Sequence, residues 1–80
     1  MTPITVRFFA SIREDLGKDE EHIDSQGIAT AADVWERVAG RPLPARTLVA
    51  VNQQYASPGH PVKAGDEVAF FPPVTGGELP

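Results

Sequence analysis

The chain has 80 residues, no cysteine, and seven basic against eleven acidic residues, for a formal charge of −4. That length makes one small domain with a compact core. The missing cysteines exclude disulfide staples and thiolate zinc sites and agree with a reducing compartment. The acidic balance argues against non-specific nucleic-acid binding, which needs clustered Lys and Arg, and favours a partner with a basic surface.

The opening run ITVRFFA (Ile4 to Ala10) alternates as a strand, with Ile4, Val6 and Phe8 toward one face and Thr5, Arg7 and Phe9 toward the other. It is short and contains Arg7, so it reads as neither a signal peptide nor a membrane span. SIREDLG predicts a short helix with Ser11 as N-cap, Glu14 at capping-box spacing and Gly17 as the stop. DEEHIDS (Asp19 to Ser25) predicts an edge strand whose charges discourage sheet-to-sheet aggregation. The main amphipathic helix follows, with Thr30 as N-cap, Asp33 completing a capping box, Gly40 at the end, and Ala31, Val34, Trp35 and Val38 on one face. Pro42 and Pro44 make RPLPAR a loop. TLVAVN (Thr47 to Asn52) is strongly β-prone, QQYA reads as a continuation or return strand, and SPGHPVKAGD is turn chemistry. DEVAFF (Asp66 to Phe71) is the last strand, stopped by Pro72 and Pro73. This order predicts an α+β roll: a mixed sheet with the helix of about residues 30–39 on one face and the first and last strands adjacent at the centre.

Classical catalysis finds no foothold. There is no cysteine nucleophile, no GxSxG and no phosphate-binding glycine loop. His22 and His60 are not at ligand spacing, and Asp15, Asp19, Glu20 and Glu21 lack the pattern of a calcium loop, so both sets read as solvated surface with no metal site. Exposed aromatics are more telling. If Ile4, Val6, Phe8, Val68 and Phe70 face the core, Phe9 and Phe71 meet on the uncovered face, with Tyr55 beside them. Contiguous exposed aromatics mark an interface, unless RPLPAR covers them as a satellite core.

The C-terminal stretch PPVTGGELP is the other signal. Pro72 and Pro73 favour a stiff, extended exit. From Pro72 to Gly77 the chain reaches up to about 20 Å. Gly76 and Gly77 make that arm thin enough for a narrow tunnel.

VRFFASIREDLG, VAVNQQY and above all GDEVAFFPPVTGG resemble the MoaD family, the small subunits of molybdopterin synthase within the ubiquitin-like β-grasp superfamily. The resemblance covers nearly the whole chain to Gly77 and is closer in pattern than in letters through IDSQGIATAADVWERVA. It implies a β-grasp domain over residues 1–71, an extended Gly-Gly tail over 72–77 and three extra residues, 78–80. It further implies a cytoplasmic sulfur carrier with no intrinsic cofactor. ATP would be used by a MoeB-like activating enzyme to adenylate the Gly77 carboxylate. Sulfur would replace AMP to give a thiocarboxylate. A MoaE-like large subunit, probed by the tail Pro72, Pro73, Val74, Thr75 and Gly76, would then pass the sulfur to cyclic pyranopterin monophosphate, in a heterotetramer. Phe9, Tyr55 and Phe71 correspond to family interface positions. Neither nucleic acid nor membrane is implied as a partner.

One departure stands out: family members usually end at the second glycine, whereas Glu78, Leu79 and Pro80 follow Gly77 here. Removal by a protease, a cloning remnant and drift to another role all remain open. The alternative functions are a ThiS-like or tRNA-thiolation carrier and, if ELP is permanent, a non-donating β-grasp interaction module.

Overall fold

The computed structural model describes residues 2–73. Strand alternation builds its centre. β1 (Ile4–Phe8) buries Ile4, Val6 and Phe8 and turns Thr5 and Arg7 to the opposite face. It pairs antiparallel with β2 (Glu20–Ile23) and parallel with β5 (Glu67–Phe71). β5 pairs antiparallel with β3 (Leu48–Val51), which turns back into β4 (Gln54–Ala56). The sheet order is β2-β1-β5-β3-β4, so the first and last strands are neighbours and the charged β2 is an edge, as expected. The β3–β4 turn places Asn52 and Gln53 at φ of 51° and 70°, the positive pair that matches strand twist in a two-residue hairpin.

The main helix, α2 (Ala31–Ala39), starts where the capping box places it. The Thr30 hydroxyl accepts from Asp33 N–H at 3.3 Å, and the Asp33 carboxylate accepts from Thr30 N–H at 3.1 Å and Ala29 N–H at 2.9 Å. These backbone donors, Ala29 first and Thr30 second, hold the Asp33 carboxyl below its ordinary range. Gly40 ends the helix at φ 72°, a left-handed cap that a Cβ would strain. Ala31, Val34 and Trp35 are buried against Ile4, Val6, Phe8, Val68 and Phe70, with Val38 partly buried beside them. Trp35 meets Phe70 edge-on at 5.1 Å between ring centroids.

The short helix departs from expectation. α1 runs Ala10–Leu16 with Phe9, not Ser11, at the cap position and no side-chain capping bond. Phe9 is still extended, and its carbonyl already accepts from Ile12 and Arg13 N–H. Ala10 makes the turn at φ 55°, so the helix begins directly off the strand and Ser11 lies inside its first turn. Gly17 stops it as expected. Strand ends are also trimmed: β1 stops at Phe8 rather than Ala10, and Asp66 belongs to the turn before β5.

Asp66 fastens that turn. It is buried, and its carboxylate accepts from Lys63 N–H at 2.9 Å, Asn52 Nδ2 at 3.2 Å and Lys63 Nζ at 3.4 Å. Asn52 Oδ1 in turn accepts from Glu67 N–H at 3.0 Å, which ties the β3–β4 hairpin to β5. Burial pushes the Asp66 carboxyl up, but the Lys63 amide, the Asn52 amide and the Lys63 ammonium together outweigh it and hold it below 3.8. A depressed folded-state value gives stability that is fully present above the unfolded value and lost as pH falls through the folded one. Asp66→Asn is therefore expected to lower the neutral-pH urea midpoint and to make its decline below pH 3.8 shallower than in the parent chain. An equally steep acid decline in both proteins would remove Asp66 as a contributor.

Candidate functional site

The face of the sheet opposite α2 holds three rows of side chains, set by the strand registers. The first contains Phe9 and Phe71, with Leu48 paired opposite Phe71. The Phe9 and Phe71 rings are stacked 4.7 Å apart at 5°. Phe9 N–H donates to the Phe70 carbonyl at 3.2 Å, which carries the β1–β5 pairing one residue beyond β1 and brings the two rings together. Tyr55 leans toward Phe71 from 6.1 Å at 58°. Phe9 is 38% exposed and Tyr55 77%, while Phe71 is half-buried. The three aromatics expected on this face are thus one cluster.

The second row crosses the sheet as Glu20, Arg7, Ala69, Ala50 and Tyr55. Its centre is two alanines paired with each other, so the surface dips between taller neighbours. The dip is an open depression of about 460 Å³ edged by Phe9, Phe71, Tyr55, Gln53, Arg7 and Glu67. The third row is His22, Thr5 and Glu67. Arg7 Nε lies 2.6 Å from Glu67 Oε2 in an ion pair, Arg7 also lies 3.7 Å from Glu20, and His22 Nε2 is 3.2 Å from Glu20. All four side chains are partly exposed, so these pairs orient the groups more than they stabilise the fold.

The loop of residues 41–46 does not cover the aromatics. Leu43 packs against the core, the Arg41 guanidinium lies 5.8 Å from the Trp35 ring centre, and no residue of that loop lines the depression. The expected acidic surface is paired piecemeal, Glu21 with Lys18 and Asp15 with Arg41. Among the described residues no group of His, Asp or Glu is poised to hold a metal ion, and no helix is long and apolar enough to cross a membrane.

Pro72 and Pro73 follow β5 directly, so the arm leaves the sheet one residue beyond the Phe9–Phe71 stack. Val74, Thr75, Gly76 and Gly77, and the extra Glu78, Leu79 and Pro80, lie outside the described residues. Alternation located the aromatics. It missed Ala50 and the Arg7–Glu67 pair, whose only sequence signal was outward parity in neighbouring strands, and it gave the outward Ala69 no role.

The family model described as the ThiS family matches residues 6–77. A molybdopterin synthase sulfur carrier subunit of Escherichia coli (strain K12) is 41% identical, across 92% of this chain and 99% of its own. The protein of the same name from Haemophilus influenzae is also 41% identical, with the same coverage. Among solved structures, small archaeal modifier protein 1 of H. volcanii superposes with a TM-score of 0.77 at 28% identity, over 92% of this chain and all of its own. The modifier protein of that name from Methanosarcina acetivorans, 20% identical over 96% of this chain and 98% of its own, shares the fold with a TM-score of 0.75.

Proposed function

The chain belongs to the ThiS family, and from that premise we propose that it is the sulfur-carrier small subunit of a molybdopterin synthase, acting in molybdenum cofactor biosynthesis. The observation that carries this reading is the 41% identity to two sulfur carrier subunits across nearly the whole of both chains. The geometry supplies a means. An exposed aromatic cluster and the root of a thin Gly-Gly arm lie at the same end of β5, so a protein that grips the cluster also receives the arm.

The chemistry belongs to Gly77. A MoeB-like enzyme would bring ATP to its carboxylate. One carboxylate oxygen attacks the α-phosphorus and pyrophosphate leaves, giving an acyl-adenylate. A sulfur nucleophile then displaces AMP and leaves a thiocarboxylate. In the MoaE-like large subunit, reached by the arm Pro72, Pro73, Val74, Thr75 and Gly76, that sulfur passes to cyclic pyranopterin monophosphate. This chain binds no cofactor of its own in the scheme, and the whole sequence runs in the cytoplasm. Phe9, Tyr55 and Phe71 form the surface that docks on the large subunit, two carriers to one large-subunit dimer. Before any of this, a protease must hydrolyse the Gly77–Glu78 bond to release Glu78, Leu79 and Pro80.

Docking is tested at Phe71. Phe71→Ala removes the ring shared by Phe9 and Tyr55, and truncating a central aromatic anchor costs about 2 kcal/mol of binding or more. Titration calorimetry against the large subunit should show that loss with little change in thermal midpoint. An unchanged dissociation constant would remove the aromatic face from the interface.

A further inference from the structure

We propose that the alanine-floored depression beside the aromatic cluster receives an arginine side chain of the partner protein, with its stem over Ala50 and Ala69 and its guanidinium against Glu67. The inference rests on the reading of this face as the docking surface and adds the chemistry of what enters it.

Shape gives the first argument. A flat partner surface laid over the face would rest on Phe9, Phe71 and Tyr55 and leave the dip between them and Arg7 unfilled. Interfaces pack as densely as protein interiors, so a protruding side chain belongs there. The alanines, 7% and 9% exposed, make a small apolar floor suited to an aliphatic stem.

The walls then select the tip. On one side are the rings of Phe71 and Tyr55. On the other are the Glu67 carboxylate and the Gln53 amide. A purely apolar side chain would take water from Glu67 and Gln53 and return no hydrogen bond. A carboxylate would face Glu67 and Glu20. A guanidinium satisfies both walls, because it stacks on an aromatic face and donates in its own plane to a carboxylate. Arg7 Nε approaches Glu67 at one oxygen, Oε2, and an ionised carboxylate accepts several donors. The local charge agrees: one guanidinium, Arg7, stands against two carboxylates, Glu20 and Glu67, within a chain of net charge −4.

The test uses two charge variants with opposite expected signs, Glu67→Gln and Arg7→Gln, each titrated against the molybdopterin synthase large subunit at low and high salt. E67Q should weaken binding roughly tenfold and flatten its salt dependence. R7Q removes the competing cation and should tighten binding severalfold. Ala50→Leu, which fills the dip, should weaken binding at every salt concentration, with circular dichroism confirming that each variant is folded. Binding by E67Q equal to that of the parent chain, or tightening by E67Q with weakening by R7Q, would overturn the arginine. If F71A weakens binding while E67Q does not, the docking face stands and only its occupant is wrong. If F71A has no effect either, the face itself fails and this inference goes with it.

Discussion

A chain ending at Gly77 is expected to take up AMP and then sulfur when given a MoeB-like enzyme, ATP and a sulfur donor, whereas the chain through Pro80 is expected to do neither. The contrast follows from one bond. In the longer chain the Gly77 carbonyl is part of a peptide group, whose nitrogen lone pair is delocalised into the C=O and which offers no anionic oxygen to attack phosphorus. Hydrolysis of Gly77–Glu78 consumes one water and yields the carboxylate that adenylation needs. The three added residues also act sterically. Glu78 and Leu79 bring side chains, and Glu78 a charge, to the part of the arm where Gly76 and Gly77 have none. The readout is the intact mass of each chain after incubation: a population with one oxygen replaced by sulfur in the trimmed chain, and none in the longer one. Sulfur loading of the chain through Pro80 without cleavage would end the processing requirement. Failure of the trimmed chain alongside an authentic carrier that loads would favour a β-grasp module whose tail is inert.

How much of this was legible in the letters depends on whether a feature is local. The capping box of Thr30 and Asp33, the helix stops at Gly17 and Gly40 and the alternation in β1 and β5 need only a few neighbouring residues, and each appears in the structure as expected. Phe9 and Phe71 were placed on the uncovered face by parity, and the parallel β1–β5 pairing makes them stack. Ser11 was misplaced because its capping-box spacing is a local pattern that a stronger local fact overrides: the strand runs straight into the helix through Phe9 and Ala10. The alanine floor was invisible for a different reason. An outward alanine says nothing until register sets Ala69 opposite Ala50 and Arg7. The same non-local pairing brings Arg7 to Glu67, residues far apart in the chain.

Trp35→Ala is expected to cost roughly 3–5 kcal/mol, a large part of the roughly 5–15 kcal/mol that holds such a domain together. Trp35 is 1% exposed, meets Phe70 edge-on and lies under the Arg41 guanidinium, so its removal opens the centre of the helix–sheet layer. Trp35→Phe should be far milder. The indole Nε1–H is buried with no hydrogen-bond partner among the described residues, and a buried orphan donor costs about 1–3 kcal/mol. Phenylalanine deletes that donor while keeping a ring against Phe70, so relief of the one term offsets much of the lost packing. Urea unfolding followed by far-UV circular dichroism distinguishes the two variants without relying on the single tryptophan as its probe. Equal losses would show that a ring kept against Phe70 restores none of the lost packing, since both variants delete the indole N–H. The consequence reaches the other face of the sheet. Phe70 points into the core and its neighbour Phe71 points out to Phe9, so the partner that packs Phe70 also steadies the strand from which the aromatic cluster and the arm emerge. W35A should therefore lose affinity for the large subunit although Trp35 lies in the core behind the sheet, and W35F should keep it.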